Sequence, residues 1–345
     1  MKKRFLSVLV LAMLTTVSLL GCGSTEEADN TSEDSVTEAA DAKEETSEDE
    51  KVIIRIADQP GCFVARIAEK EGFYEKELGD NVEVEIIDYP GGGPAITESF
   101  SAGEVDFGFL GDLPVITNKA NGSDIKIVGY SFSKEETDLL VTLEGSGITS
   151  LEDLKGKKIG VAIGTTAHSM ILKQLDSVGL TENDVELVNL SFADCVTSLV
   201  SGDIDAASSF TTFVLPANKD GANIVTVSDA TGLGISNTVI AASGSFTDAH
   251  PKETAQLLKA FDDAVQWIAE NKDESISFIA EYAEQDPEIT TIDWEKWKQH
   301  IQLTEEDIDA VEGVLEFAEK QELIENEVSL DELIDTSYLE AAGLQ

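Results

Sequence analysis

Short apolar strands that end at a glycine and lead into a helix recur along this chain, and this repeat limits the possible folds more than any other feature. A first series of such units extends from 52 to 130. A second series follows Gly145 and extends from 158 to 209. Repeated βα units favour a mostly parallel sheet that is flanked by helices. Two series therefore predict an α/β protein with two lobes.

The turns between strand and helix indicate where a ligand would bind. Ligands of open α/β sheets bind outside the carboxyl ends of the strands. The N–H groups at a helix N-terminus attract an anion, and the hydroxyls of Thr165 and Thr166 can donate further hydrogen bonds. The glycine turns that carry this prediction are Pro60-Gly61, Gly91 to Gly93, Gly111-Asp112 and Gly164-Thr165-Thr166.

Charge excludes two classes of partner. The formal net charge is −45, which argues against nucleic-acid binding because that rests on Lys and Arg neutralising phosphates. It argues equally against adhesion to anionic lipid. Beyond the first residues the only arginines are Arg55 and Arg66. An anionic ligand would therefore depend on backbone N–H groups and hydroxyls.

The first residues are predicted to be an export signal. Lys2, Lys3 and Arg4 precede a mostly apolar run that is short for a membrane span. The run ends at Leu19-Leu20-Gly21-Cys22, which resembles the lipobox of bacterial lipoproteins. The resemblance implies that 1–21 is removed and that Cys22 carries lipid, including palmitate, at the outer face of the cell membrane. The alternative is an ordinary cleaved signal with an incidental cysteine.

Residues 22–50 are predicted to form a disordered tether. Twelve acids and a single lysine, Lys43, lie between Cys22 and Glu50, with no aromatic residue. Such a segment cannot bury enough apolar surface to offset its ordering entropy, and its like charges repel one another. The chain from 51 to 345 is long enough for two lobes that each have a core.

No catalytic or cofactor motif is apparent. The chain has no P-loop, no Gly-x-Ser-x-Gly and no His-Glu-x-x-His. The tryptophans, Trp267, Trp294 and Trp297, are expected to pack helices onto the first lobe. Cys62 and Cys195 could pair in an exported protein. However, they lie in different predicted lobes, and a bridge would oppose lobe movement, so we expect buried thiols.

Several ordered motifs together carry a resemblance. They are Gln59-Pro60, Pro90-Gly-Gly-Gly-Pro94, Gly103-x-x-Asp106-Phe-Gly108, Gly111-Asp112-x-Pro114, Ser150-Leu-x-Asp-Leu-Lys-Gly-Lys157, Gly164-Thr-Thr-Ala-His168 and Ala249-His250-Pro251. From about Val52 to Lys252 the chain resembles the substrate-binding proteins of ABC importers for aliphatic sulfonates, taurine and nitrate. The resemblance implies the type II periplasmic-binding-protein fold with two crossover strands as a hinge. Lobe one would be 51–143 plus 236–345, and lobe two 144–235.

The resemblance also implies which residues bind the ligand. Thr165 and Thr166 match the segment for the acidic headgroup, while His168 is equally compatible with packing. Two departures from the family pattern concern the ligand: a missing acid weakens the case for a ligand amine, and a missing Arg weakens a full-charge contact to a sulfonate. Relatives often have Trp-Asp-Pro-Phe where this chain has Phe210-Thr211-Thr212-Phe213, and many have Asn-Arg where it has Ser236-Asn237. The predicted ligand-binding set is Gln59, Gly61, Gly92, Gly93, Gly111, Asp112, Gly164, Thr165, Thr166, His168, Phe210, Thr211 and Asn237.

These observations predict a monomeric, extracytoplasmic solute-binding lipoprotein without a cofactor. It would capture a small organic anion, such as an aliphatic sulfonate, and deliver it to an ABC permease and its ATPase. One alternative is a binder of a thiamine-pyrimidine-like heterocycle, whose ring Phe210 and Phe213 would stack on. Another is an enzyme, because thiamine-pyrimidine synthases share the fold. A structural lipoprotein is disfavoured because nothing repeats at the level of whole modules.

Overall fold

A computed structural model describes residues 51–134, 138–233 and 236–344. The predicted signal sequence, Cys22 and the acidic tether lie outside these residues. Within the described part, no helix is both long and apolar enough to cross a membrane.

The described strands and helices are numbered along the chain. Strands β1 to β11 are Val52–Asp58, Val82–Asp88, Phe107–Gly111, Ile125–Lys134, Asp138–Leu143, Lys158–Val161, Glu186–Asn189, Ala206–Phe210, Ile224–Ser228, Ser236–Ser243 and Trp297–Gln299. Helices α1 to α14 are Val64–Lys70, Phe73–Leu78, Gly93–Ala102, Asp112–Ala120, Thr166–Ser177, Phe192–Ser201, Thr211–Lys219, Gly244–Ala249, Pro251–Glu270, Lys272–Tyr282, Pro287–Trp294, Glu305–Lys320, Leu330–Leu333 and Ser337–Ala342. Short 3-10 turns cover Leu151–Leu154 and Glu182–Asp184.

The first sheet has the strand order β11-β4-β10-β3-β1-β2. Strand β1 pairs in parallel with β2 and β3, and β10 runs antiparallel between β3 and β4. The carboxyl ends of β1, β2 and β3 therefore meet at one edge of the sheet. This is the edge from which the predicted glycine turns lead into helices.

The second sheet has the order β7-β6-β8-β5-β9. Strand β6 pairs in parallel with β7 and β8, whereas β5 lies antiparallel between β8 and β9. The predicted end of the first lobe at 143 is therefore wrong, because β5 belongs to the second sheet. Leu140 and Val141 of β5 are fully buried in the cores of this second lobe. The sequence placed the boundary between 143 and 144, whereas β4 belongs to the first sheet and β5, from Asp138, to the second.

Each sheet is covered on both faces. In the first lobe, one core packs α1, α2 and α9 against the sheet, and another packs α3, α4 and α12 against the opposite face. In the second lobe, α5 covers one face while α6 and α7 cover the other. Burial of apolar surface at roughly 25 cal/mol per Å² stabilises each layer. The predicted two-lobed α/β arrangement is confirmed.

Two smaller predictions can be compared with the cores. Trp267, Trp294 and Trp297 pack against the first core, as expected. Cys62 and Cys195 are both buried, and they lie in different lobes. Burial raises the pKa of the Cys195 thiol to about 12, so this side chain behaves as a small apolar residue.

Ion pairs connect the lobes on two sides. Lys219 of α7 reaches Asp286 at 2.8 Å and Glu288 at 2.9 Å, at the start of α11. Lys320 of α12 lies 2.7 Å from Asp176 of α5. Exposed pairs of this kind contribute little to stability. They show instead that the lobes contact each other in this structure.

Candidate binding site between the lobes

Two helix N-termini of the first lobe meet at the edge of its sheet. Gly93 begins α3 so close to α4 that a Cβ atom there would lie 2.8 Å from Pro114 Cγ. Gly92 has φ +69°, and its Cα faces the Gln59 side chain, whose Oε1 would lie 3.0 Å from an added Cβ. Gln59 is held in turn by a 2.9 Å hydrogen bond from its Nε2 to the Phe109 carbonyl. Both glycines thus allow the close packing of this edge.

A third helix N-terminus reaches the same point from the second lobe. A side chain at Gly111 would collide with the Cγ2 methyl of Thr166 at the start of α5. Gly164, with φ +82°, lies just before α5, and an added Cβ would be 3.6 Å from Pro94 Cγ of α3. The start of α5 therefore contacts the starts of both α3 and α4.

Three helix N-termini meet at this point, beside the buried carboxylate of Asp112. None of the helices α3, α4 and α5 has a side chain that caps its first turn from the N-cap position. Their first N–H groups and aligned peptide dipoles are suited to an anion. This arrangement brings together turns that the sequence predicted separately.

In the segment from Gly164 to His168, which was predicted to bind the acidic headgroup, Thr165 and His168 are hydrogen-bonded within their own loop. The Thr165 hydroxyl donates a 2.7 Å hydrogen bond to the Ala162 carbonyl. His168 is buried, and its Nδ1 accepts a hydrogen bond from the Gly164 N–H at 3.4 Å. Burial lowers the pKa of His168, which keeps the ring neutral. Thr166 is the half-buried member of the segment that faces the first lobe.

A buried polar chain lies beside this point. Asp112, the first residue of α4, accepts hydrogen bonds from the Leu113 N–H at 2.7 Å and from Asn237 Nδ2 at 3.2 Å. Asn237 Oδ1 accepts a 2.9 Å bond from the Tyr130 hydroxyl. Burial raises the pKa of Asp112 to about 6, while the charge of Lys173 and these hydrogen bonds oppose the rise.

Phe210 is the last residue of strand β8, and Thr211 is the first residue of α7. Strand β8 pairs with β6 at Gly160 and Ala207, and this register places the end of β8 beside the start of α5. Phe210 contacts Phe192, the first residue of α6, with ring centroids 4.8 Å apart. This register places the Phe210–Phe192 pair on the side of the second lobe where α5 begins.

The turn after β1 is fixed by a buried acid. Asp58 accepts a hydrogen bond from the Gln59 N–H at 3.0 Å and lies 3.3 Å from Arg66 Nε. Burial raises the pKa of Asp58 to about 7, against the lowering effect of Arg66. Gly61, with φ +93°, completes this turn.

Sequence reasoning missed three residues near the site. In the sequence Tyr130 looks like an ordinary strand residue, because the register shifts of β10 against β4 that turn it toward Asn237 leave no sequence signal. The sequence motifs do not include Lys173 or Phe192 either. Lys173 follows Thr166 by seven residues, which places both on one face of α5, so helical spacing could have found it.

A separate groove of about 480 Å³ lies two turns further along α5. It is lined by α5, α12 and the loop before β10, and it includes Lys173, Gly313 and Phe317. Lys173 Nζ lies 5.5 Å from the centre of the Phe317 ring. This groove is distinct from the meeting point of the helix N-termini.

Comparison with known proteins identifies the family of this chain. Residues 61–275 match the family model described as NMT1/THI5 like. The chain belongs to this family. It is 27% identical over 292 residues to a putative aliphatic sulfonates-binding protein of Bacillus subtilis, covering 84% of this chain and 87% of that one. It is 28% identical over 224 residues to the taurine-binding periplasmic protein of Escherichia coli, covering 64% and 68%.

Solved structures support the fold. The alkanesulfonate-binding protein SsuA from Xanthomonas axonopodis pv. citri, bound to MOPS, aligns with a TM-score of 0.75 at 21% identity, covering 83% of this chain and 99% of that one. The NMT1/THI5-like chain therefore has the two-lobed periplasmic-binding-protein fold. The resemblance inferred from the sequence motifs is confirmed.

Tyr130→Phe tests the buried polar chain. Removing the hydroxyl leaves the buried Asn237 carbonyl without its donor, which should lower the free energy of unfolding by about 1–3 kcal/mol. Chemical unfolding followed by circular dichroism measures the change. Tyr282→Phe is the matched control, because its hydroxyl bonds Asp88 at an exposed position and its loss should cost under about 0.5 kcal/mol. An equal loss of unfolding free energy in both variants would contradict this description of the buried polar chain.

Proposed function

We propose that this chain is the extracytoplasmic solute-binding protein of an ABC importer and captures a small organic oxyanion between its lobes. The observation that carries the proposal is the meeting of helix N-termini from both lobes at Gly93, Gly111 and Thr166. None of the three helices is capped by its N-cap side chain, although Asp112 accepts a hydrogen bond from the Leu113 N–H in the first turn of α4. An anion at this point interacts with both lobes at once. Its binding therefore favours the closed arrangement over an open one.

A sulfonate is the proposed headgroup. The arginines of the described chain are both engaged by its own acids: Arg55 with Asp106 at 2.8 Å, and Arg66 with Asp58 and Asp88. Backbone N–H groups are then the available donors, with the Thr166 hydroxyl beside them. The relatives named for sulfonates and taurine share this preference for a singly charged, three-oxygen headgroup. The remainder of the solute would contact Phe210 and Thr211.

Capture and release without chemical change is part of the same proposal. Thr165 and His168 bond within their own loop, and Asp112 is bonded to its own helix and to Asn237. These side chains therefore position the turns rather than attack a substrate. The closed, liganded form is the one that a permease would recognise, and lipid on Cys22 would keep the protein near that permease.

Titration with sulfonates tests the ligand class. Taurine, ethanesulfonate, butanesulfonate, benzenesulfonate and nitrate would be added to the purified protein while tryptophan fluorescence and the melting temperature are recorded. We expect at least one sulfonate to raise the melting temperature by mass action. At a ligand concentration of a hundred times Kd, binding adds about 2.7 kcal/mol to the free energy of unfolding. A response to none of the sulfonates, with a clear response to another class of solute, would contradict the assignment.

Matched variants localise that binding to the contact between the lobes. Gly111→Ala adds a methyl group that collides with Thr166 Cγ2, so affinity should fall about tenfold or more, equivalent to about 1.4 kcal/mol. Thr166→Ser removes that methyl group but keeps the hydroxyl. The double variant should therefore recover most of the lost affinity, and a failure to recover would show that the two positions do not meet in the liganded protein.

Lipidation is tested at Cys22. We expect the wild-type chain to incorporate labelled palmitate and to sediment with membranes when it is expressed in a bacterium. Cys22→Ser should abolish both, because acyl chains provide the anchor. Cys62→Ser is the control and should retain label and location. Labelling of the Cys22→Ser chain would exclude this anchor.

A further inference from the structure

A carboxylate is buried where the proposed anion would bind. Asp112 is only 2% exposed and follows Gly111, the residue that contacts Thr166 of the other lobe. It is the first residue of α4, one of the helices whose N-termini meet there. A desolvated carboxylate and a second anion at one site repel each other strongly.

The groups around Asp112 do not fully neutralise it. From its own helix it receives the Leu113 N–H, and from β10 the Asn237 amide. From α5 of the second lobe it receives the favourable charge of Lys173. Tyr130 of β4 donates to Asn237 and stays protonated, because burial raises its pKa. His168 of α5 is kept neutral by burial, which lowers its pKa. Lys173 is thus the cation with the largest effect on the pKa of Asp112 among the described residues.

We propose that Asp112 sets the charge that the cleft accepts, so that an anionic solute is captured together with one proton, which is bound by Asp112. This inference rests on the proposed function of the same site. It makes Asp112 a specificity-determining residue: its carboxylate opposes anions, and its neutral carboxylic acid admits them. A chain with an uncharged side chain at this position would accept anions at any pH.

Closure of the lobes couples proton uptake by Asp112 to binding of the solute. Gly111, the residue before Asp112, contacts Thr166 of α5, and the charge of Lys173 of α5 acts on Asp112. Separation of the lobes would remove both neighbours and bring water closer to the carboxylate. Asp58 provides the contrast, because its bonded partners, Gln59 N–H and Arg66, both belong to the first lobe. Closure changes the surroundings of Asp112 and leaves those of Asp58 in place.

The direction of the pH effect follows from linkage. Burial raises the pKa of Asp112 from 3.8 to about 6 in the structure with the lobes in contact, and an adjacent anion raises it further. A group whose pKa is higher in the closed, liganded state takes up a proton on binding. Affinity is then highest below the open-state pKa, falls as the pH rises between the two pKa values, and is constant and weaker above the higher one. Between pH 5 and pH 7.5, we expect affinity to fall about tenfold.

The experiment is isothermal titration of the wild-type protein with butanesulfonate, which stays anionic throughout this pH range. Titration at pH 5 in two buffers with different ionisation enthalpies counts the protons that accompany binding. We expect an uptake close to one proton at pH 5 and about tenfold tighter binding than at pH 7.5. The proton count requires no variant, so it holds even if a substitution impairs folding.

Asp112→Asn and Asp58→Asn complete the test. Asp112→Asn should bind butanesulfonate without proton uptake, with an affinity that is independent of pH and at least equal to that of the wild type at pH 5. Asp58 is a buried acid on the adjacent strand β1, and Asp58→Asn should keep the proton uptake and the pH dependence of affinity. Binding by the wild type without proton uptake would overturn this proposal and leave the proposed function intact. No binding by the wild type or by Asp112→Asn between pH 5 and pH 8 would overturn both.

Discussion

The close approach of Gly111 to Thr166 is the contact on which the site depends. Because Gly111 has no side chain, the start of α5 can reach the starts of α3 and α4 from the other lobe. Gly93 serves the same purpose within the first lobe, where it packs against Pro114. Three helix N-termini thereby meet in one small region. A solute that binds there is held by both lobes, and this geometry links capture to closure.

Electrostatics then limits which solutes can bind. The chain is strongly acidic, and its described arginines are paired with its own carboxylates. The attraction for an anion therefore comes from peptide dipoles, which do not depend on side-chain charge. Asp112 opposes that attraction from within the same site. The balance between these two effects makes the solute's charge, rather than only its shape, a determinant of binding.

Much of this arrangement could be predicted from the sequence, because its signals are local. Glycine turns, apolar strands and helix starts identified both βα series and most of the residues that meet between the lobes. The predicted end of the first lobe at 143 was wrong because strand pairing is non-local: β5 pairs with β8 of the second sheet, and the sequence before it has no glycine turn to mark the change of lobe. Tyr130 was missed for a related reason, since the irregular pairing of β4 and β10 turns it toward Asn237.

The central claim is that an anion is held between the lobes by helix N-termini, and a crystal structure of the protein with a bound sulfonate tests it most directly. The account predicts sulfonate oxygens within about 3 Å of the backbone N–H groups at the starts of α5 and of α3 or α4, with Phe210 beside the remainder of the solute. A sulfonate bound instead in the groove between α5 and α12, with its headgroup on Lys173, would contradict the account.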